Sequence, residues 1–197
     1  MSLNVVILAA GQGTRMRSKL PKVLHQVGGK SMLAHTITTA QNLGADRIIV
    51  VYGHGGEAVQ STILNEKVEW VEQQERLGTG HAVQQAIPFF SAQADEIILI
   101  LYGDVPLARE ATLRTLLEQQ AKDSMAILTT VLTNPHGYGR IVRNAQGQVE
   151  EIVEEKDANN EIKQIDEINT GILCASSQSL IKWLNNIDNN NQQKEYY

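Results

Sequence analysis

Cysteine is almost absent. Cys174 is the single thiol in 197 residues, which excludes an intramolecular disulfide. Its place in the apolar run Gly171-Ile172-Leu173-Cys174-Ala175 predicts a buried strand thiol rather than a nucleophile. Also missing is any stretch near the roughly 20 apolar residues a membrane helix needs. The apolar start at Val5 to Ala10 lacks the basic leader of a signal peptide. The expectation is a cytoplasmic chain with no membrane partner. Its five histidines, His25, His35, His54, His81 and His136, show no metal-ligand spacing, and no Ser-His-Asp arrangement stands out. No internal repeat is visible. With 42% hydrophobic residues, the chain can build one substantial core and a small subdomain, but not two ordinary domains.

Acidic side chains are absent from the first 45 residues, where Arg15, Arg17, Lys19, Lys22 and Lys30 give +5. From Asp46 onward there are 12 basic and 22 acidic residues, so the formal net charge of −5 conceals a cationic site on an acidic body. That distribution suits a small phosphorylated ligand better than a nucleic-acid backbone. The cations surround a junction at which Val5-Val6-Ile7-Leu8-Ala9-Ala10 passes into Gly11-Gln12-Gly13-Thr14-Arg15-Met16-Arg17 and then Leu20-Pro21-Lys22. A strand opening onto a glycine loop can present backbone N–H groups to a triphosphate, with Arg15 and Lys22 neutralising its oxygens. The other reading of the glycines is a plain strand-to-helix turn; the neighbouring cations favour phosphate.

Two familiar phosphate motifs are excluded by the residues they lack. A dinucleotide fingerprint needs a third glycine where Met16 stands and an acidic residue where Tyr52-Gly53 closes the second strand. Gly28-Gly29-Lys30-Ser31 looks like the end of a P-loop, but the first glycine of that motif would fall at Leu24.

The rest of the chain alternates. Helical spacing at Ser31 to Leu43 precedes a strand at Arg47 to Tyr52. A helix near Glu57 to Leu64, a strand at Val68 to Glu72, a helix at Thr79 to Ala86 and an apolar strand at Ile97 to Tyr102 follow. Then come a helix at about Glu110 to Ala121 and a strand at Met125 to Leu132. This order predicts an α/β fold with a doubly wound, mostly parallel sheet. Gly139 to Glu154 alternates around Ala145-Gln146-Gly147 like a hairpin, before a strand at Ile168 to Ala175 and a helix at Gln178 to Asn186. The Asn- and Gln-rich stretch from Asn185 to Gln193 reads as loop. The strand Ile97-Ile98-Leu99-Ile100-Leu101-Tyr102 ends in Gly103-Asp104. A carboxylate at that end can hold a Mg²⁺ that bridges phosphate oxygens, or can simply make a turn before Pro106.

Leu-Ala-Ala-Gly-x-Gly-Thr-Arg-Met with Pro-Lys, and Tyr-Gly-Asp-Val-Pro-Leu at 102 to 107, resemble the sugar-phosphate nucleotidyltransferases. Further segments are Leu77-Gly78-Thr79-Gly80-His81-Ala82, Gly137-Tyr138-Gly139-Arg140-Ile141, Val153-Glu154-Glu155-Lys156-Asp157-Ala158 and Glu167-Ile168-Asn169-Thr170-Gly171. They occur in order over nearly the whole chain. Together they resemble the uridyltransferase domain of the bacterial bifunctional N-acetylglucosamine-1-phosphate uridyltransferase/glucosamine-1-phosphate acetyltransferase family.

The resemblance implies a Rossmann-like nucleotidyltransferase fold over residues 1–197, with a small β-rich sugar-binding lobe at about 135–170. It implies UDP-N-acetylglucosamine and pyrophosphate formation from UTP and N-acetylglucosamine 1-phosphate, for cell-envelope precursors. Leu8, Ala9, Ala10, Gly11 and Gly13 would lie along the nucleotide, and Arg15 and Lys22 would address its phosphates as catalytic residues. Gln73, Gly78 and Thr79 would recognise uracil. Tyr102, Gly103 and Asp104 would border the sugar phosphate, with Asp104 as Mg²⁺ ligand, and Gly139, Glu154 and Asn169 would bind N-acetylglucosamine. Family members continue past Tyr197, supplying a second metal ligand and a β-helix with acetyltransferase activity through which a homotrimer forms. The expectation is therefore a domain incomplete at its C-terminus. The rival readings are a cytidylyltransferase for a sugar-alcohol phosphate, whose sugar lobe should lack Glu-Ile-Asn-Thr-Gly, and a non-catalytic nucleotide-sugar-binding module.

Overall fold

The computed structural model describes residues 2–11, 13, 16–53, 56–63, 67–91, 95–121 and 123–197. In chain order the strands and α-helices are β1 (Ser2–Ala9), β2 (Gln26–Val27), β3 (Lys30–Ser31), α1 (Met32–Asn42), β4 (Arg47–Gly53), α2 (Glu57–Thr62), β5 (Glu69–Gln73), α3 (Thr79–Gln84), β6 (Glu96–Tyr102), α4 (Glu110–Glu118), β7 (Met125–Val131), β8 (Arg140–Arg143), β9 (Val149–Val153), β10 (Glu167–Ser176) and α5 (Ser177–Leu184). Strands β5, β4, β1 and β6 lie side by side and parallel. Val6 at the centre of β1 is paired with Ile49 on one side and Ile100 on the other.

Period-two alternation divides β1 between two cores. Val5, Ile7 and Ala9 pack with Leu33 and Ile37 of α1 and with Leu113 and Leu116 of α4. Val6 and Leu8 face the opposite layer, with Ala82 and Val83 of α3 and Leu180 and Leu184 of α5. Burial on both faces explains why β1 and β6 read as unbroken apolar runs. Ser31 caps α1 by accepting from the Ala34 N–H at 3.2 Å, and Ser176 caps α5 from Ser179 at 3.2 Å.

The parallel arrangement covers only part of the sheet. Strand β10 runs antiparallel to β6, β7 and β8, and β8 to β9. Parallel neighbours need crossover connections, commonly helical, and from β7 onward the strands are joined by loops and turns, which permit antiparallel pairing. The predicted hairpin forms as β8 and β9, its turn held by Asn144 Oδ1 accepting from the Gln146 and Gln148 N–H groups at 3.0 Å. It does not stand off as a separate body: Ile168 of β10 pairs with Arg140 of β8, so the 135–170 region continues the main sheet. Smaller differences lie at element ends. Helix α3 stops at Gln84 and a 3-10 turn at Ile87–Phe89 follows, α4 stops at Glu118, and the short β2–β3 pair has no counterpart in the sequence pattern. Gln12, Thr14, Arg15, His54 and Leu64 lie outside the described residues.

Candidate active site

The chain runs from β1 through α1 to β4 and β5 on one side, then returns to place β6 on the other side of β1. Ligands bind in open α/β sheets at such a reversal, beyond the carboxyl ends of the strands. A cavity of about 320 Å³ occupies that position. Leu8, Ala9, Ala10 and Gly11 supply one wall where β1 ends, and Gln73, Gly78 and Thr79 supply a second, from the end of β5 and the start of α3. Tyr102 and Asp104, following β6, form a third, with Lys22 at its edge.

Lys22 owes its position to the two residues after it. Pro21 opens a 3-10 turn at Lys22–Leu24, and buried Val23 and Leu24 anchor that turn in the core, leaving Lys22 on its outer side. Its ammonium forms an ion pair with the Asp104 carboxylate, both side chains remaining partly exposed to the cavity. Gly13 lies against the Lys22 stem. Its φ is +61°, and a Cβ there would stand 2.6 Å from Lys22 Cβ, so neither the backbone conformation nor the space admits a side chain. Gly103 has a different surrounding: a Cβ would meet Val23, Leu33 and Ala9 at 3.2–3.4 Å, so this predicted site residue packs against the core layer under the cavity floor.

On the second wall, Gln73 is 3% exposed and donates from Nε2 to the Gly78 carbonyl at 3.2 Å. Gly78 itself has φ +107°, and a Cβ there would lie 2.4 Å from the Tyr196 carbonyl oxygen. The tail threads this gap: the Tyr196 N–H donates to the Leu77 carbonyl at 2.6 Å, and the Tyr196 carbonyl accepts from the Gly80 N–H at 2.8 Å. Glu195 consequently joins the cavity wall, as does Arg76. Sequence reasoning identifies neither. Arg76 sits in no motif, and no spacing along the chain links Glu195 to the glycine loop, because only the folded tail brings it there.

Gly139, Glu154 and Asn169 are together at the neighbouring end of β8, β9 and β10. The Asn169 N–H donates to the Gly139 carbonyl at 2.9 Å, and Glu154 Oε1 lies 2.8 Å from where a Gly139 Cβ would be. Burial, reinforced by Asp157 and Glu195 and opposed by Arg140, raises the Glu154 carboxyl above its ordinary range. Tyr102 connects this cluster to the cavity: its hydroxyl lies 2.5 Å from a hypothetical Gly171 Cβ, and burial, Asp104 and Glu154 raise its pKa against the hydrogen-bonded Thr79 side chain. Beneath the cluster, Arg140 is 2% exposed and donates to Glu155 Oε2 at 2.8 Å and to the Tyr138 carbonyl.

Among the described residues no group of three or more His, Cys, Asp and Glu side chains could hold a metal ion. A single accessible carboxylate such as Asp104 nevertheless fits Mg²⁺, which commonly takes one or two protein carboxylates and completes its shell with phosphate oxygens and water.

Residues 5–168 match the MobA-like NTP transferase domain. The chain belongs to that family. It is 54% identical over 195 residues to the bifunctional protein GlmU of Marinobacter nauticus, covering 99% of this chain and 42% of the relative. It is also 54% identical over 197 residues to GlmU of Idiomarina loihiensis, covering 100% of this chain and 43% of that protein. The chain thus spans less than half the length of these relatives. A solved UDP-glucose pyrophosphorylase, complexed with UDP-glucose, superposes with a TM-score of 0.77 at 15% identity over 99% of this chain and 83% of that one, a likeness of fold. Among the described residues no helix is long and apolar enough to cross a membrane.

Proposed function

We propose that this member of the NTP transferase family is a uridyltransferase making UDP-N-acetylglucosamine and pyrophosphate from UTP and N-acetylglucosamine 1-phosphate. The observation that carries the reading is convergence. The end of β1, the Lys22 turn, the Gln73 and Gly78-Thr79 segments and the Tyr102-Asp104 segment, far apart in sequence, all line one cavity beside the Gly139-Glu154-Asn169 cluster. The 54% identity to GlmU relatives supports the choice of substrates. A cytoplasmic setting belongs to the same reading.

The sugar phosphate already is a nucleophile, so no covalent enzyme intermediate is needed. Its oxygen attacks the α-phosphorus of UTP in line and pyrophosphate leaves, with positioning and charge stabilisation as the protein's main contributions. The glycine loop and the β1 terminus hold the nucleotide. Lys22 exchanges its Asp104 partner for phosphate oxygens and stabilises the departing pyrophosphate, a task shared with Arg15. Glu154, Asn169 and the Gly139 backbone read the amino sugar through hydroxyl and amide hydrogen bonds. Asp104 would hold Mg²⁺, which when bound offsets phosphate charge and orients both substrates.

Pyrophosphate release from UTP and N-acetylglucosamine 1-phosphate in the presence of Mg²⁺ tests the reading. We expect release above background that depends on both substrates, and Lys22→Ala to lower kcat on the order of a hundredfold, the usual effect of losing a contact worth about 3 kcal/mol to transferring charge. Glu154→Ala should raise KM for the sugar phosphate more than for UTP. No dependence on the amino sugar would reject the substrate assignment, and release with CTP but not UTP would favour the cytidylyl alternative.

A further inference from the structure

We propose that His81 is a positioning residue that, together with the Gly78 carbonyl, holds the orientation of the Gln73 amide and thereby strengthens the preference for uracil over cytosine. The proposal rests on the uridine reading above.

Gln73 closes β5 with its side chain buried at the cavity wall. Its Nε2 has two neighbours: the Gly78 carbonyl oxygen at 3.2 Å and His81 Nδ1 at 3.0 Å. The carbonyl can only accept, so the NH₂ end of the amide must face it; a flipped amide would set oxygen against oxygen. The second N–H of that group then meets Nδ1. With both N–H groups engaged, Oε1 is what Gln73 can offer a ligand, and that oxygen only accepts.

This arrangement requires an unprotonated Nδ1 with the proton on Nε2. A second amide competes for the ring: Gln85 Nε2 lies 3.1 Å from His81 Nε2 and also donates to the His81 carbonyl at 3.0 Å. A neutral imidazole has one acceptor nitrogen and cannot serve both amides. Burial decides between them. Gln85 is partly exposed, so its second N–H can turn to water while the bond to the His81 carbonyl is kept. An N–H of buried Gln73 would go unpaired, and unpaired buried donors are the costly ones. The Tyr196 ring stands 6.3 Å from the imidazole and closes another side of it.

The chemical consequence is a choice of base. Uracil carries an N3–H that can donate to an accepting Oε1. Cytosine has an unprotonated N3 there, which would face that oxygen lone pair to lone pair. Sites with fixed polar groups discriminate strongly by leaving the wrong ligand unpaired. Without His81 the Gly78 carbonyl alone, at 3.2 Å, would hold the amide against turning over to serve cytosine, one hydrogen bond in place of two.

Calorimetric affinities of the 197-residue chain for UTP and CTP with Mg²⁺ test this on wild type, His81→Leu and His81→Asn, each checked for folding by circular dichroism. We expect wild type to prefer UTP, His81→Leu to reduce the UTP:CTP affinity ratio at least tenfold, and His81→Asn, whose Oδ1 can accept where Nδ1 does, to restore much of it. A folded His81→Leu protein that keeps the ratio, including one that loses both nucleotides equally, overturns the role of His81 and leaves the uridine reading standing. Equal or absent binding of both nucleotides by wild type overturns the uridine reading and this proposal with it. Nitrogen NMR of the wild-type imidazole provides a measurement independent of any variant: Nδ1 without a proton is expected, and the opposite tautomer overturns the proposal.

Discussion

Glu154 has an environment that works against its own ionisation. Burial is the main cause, and Asp157 and Glu195 add to it. A carboxyl whose folded pKa lies above its unfolded value favours the fold below the unfolded pKa and loses that contribution as pH rises through the folded one. Glu154→Gln removes the penalty, so the variant should melt above wild type near pH 8, with the gap closing toward about pH 4, where both folded and unfolded wild type are protonated. Differential scanning calorimetry across that range checks it; a gap independent of pH would mean that the carboxyl is not under strain. Cys174 is a second group whose ionisation burial opposes. It is 0% exposed, its thiol reaches the Leu116 carbonyl at 3.6 Å, and burial pushes its pKa up to about 11, so it behaves as a small core side chain, as the sequence predicts.

Strand β1 ties both cores and the cavity into one element. Ile7 is 0% exposed and packs with α1 and α4, while its neighbours Val6 and Leu8 pack with α3 and α5. Ile7→Ala should therefore cost about 3 kcal/mol of stability, combining lost transfer energy with the cavity left in a layer held from both sides. Urea unfolding measures this, and a cost under about 1 kcal/mol would show that the layers can close over the gap. The strand's helical cover was legible in the sequence because period-two and 3.6-residue patterns are local. The antiparallel β7, β8 and β10 arrangement was not, since which strand pairs with which depends on connections closing through space. The break between Asn169 and Leu173, where the β10–β7 register shifts, belongs to that same non-local layer.

The molecule as a whole joins its two ends at the cavity. Positive charge concentrates in the first 45 residues, and the acidic remainder sends Glu195 and Tyr196 back across the Leu77–Gly80 loop. Deleting Glu195 to Tyr197 removes the acceptor of the Gly80 N–H, a bond worth about 1 kcal/mol, so amide exchange at Gly80 should quicken several-fold while β1 amides stay protected. Hydrogen-exchange mass spectrometry over this loop decides the matter; unchanged exchange would mean that the loop holds its shape without the tail.

Composition, periodicity and the missing acids of the first 45 residues were enough to specify an α/β fold and to single out the glycine loop as a candidate phosphate site, because amphipathic spacing and charge clustering are properties of short stretches. They also selected Lys22 and Asp104 as candidates, since each ends or follows a recognisable element. Gln73, Glu154 and Asn169 were found only through family resemblance, for isolated polar residues carry no local signal. The pairing of Lys22 with Asp104, the packing of Gly103 against the core, the engagement of Gln73 by His81 and the entry of Arg76 and Glu195 into the cavity were decided by tertiary structure alone. Each depends on distances between residues far apart in the chain, and those are set only when the sheet, the helices and the tail have closed on one another.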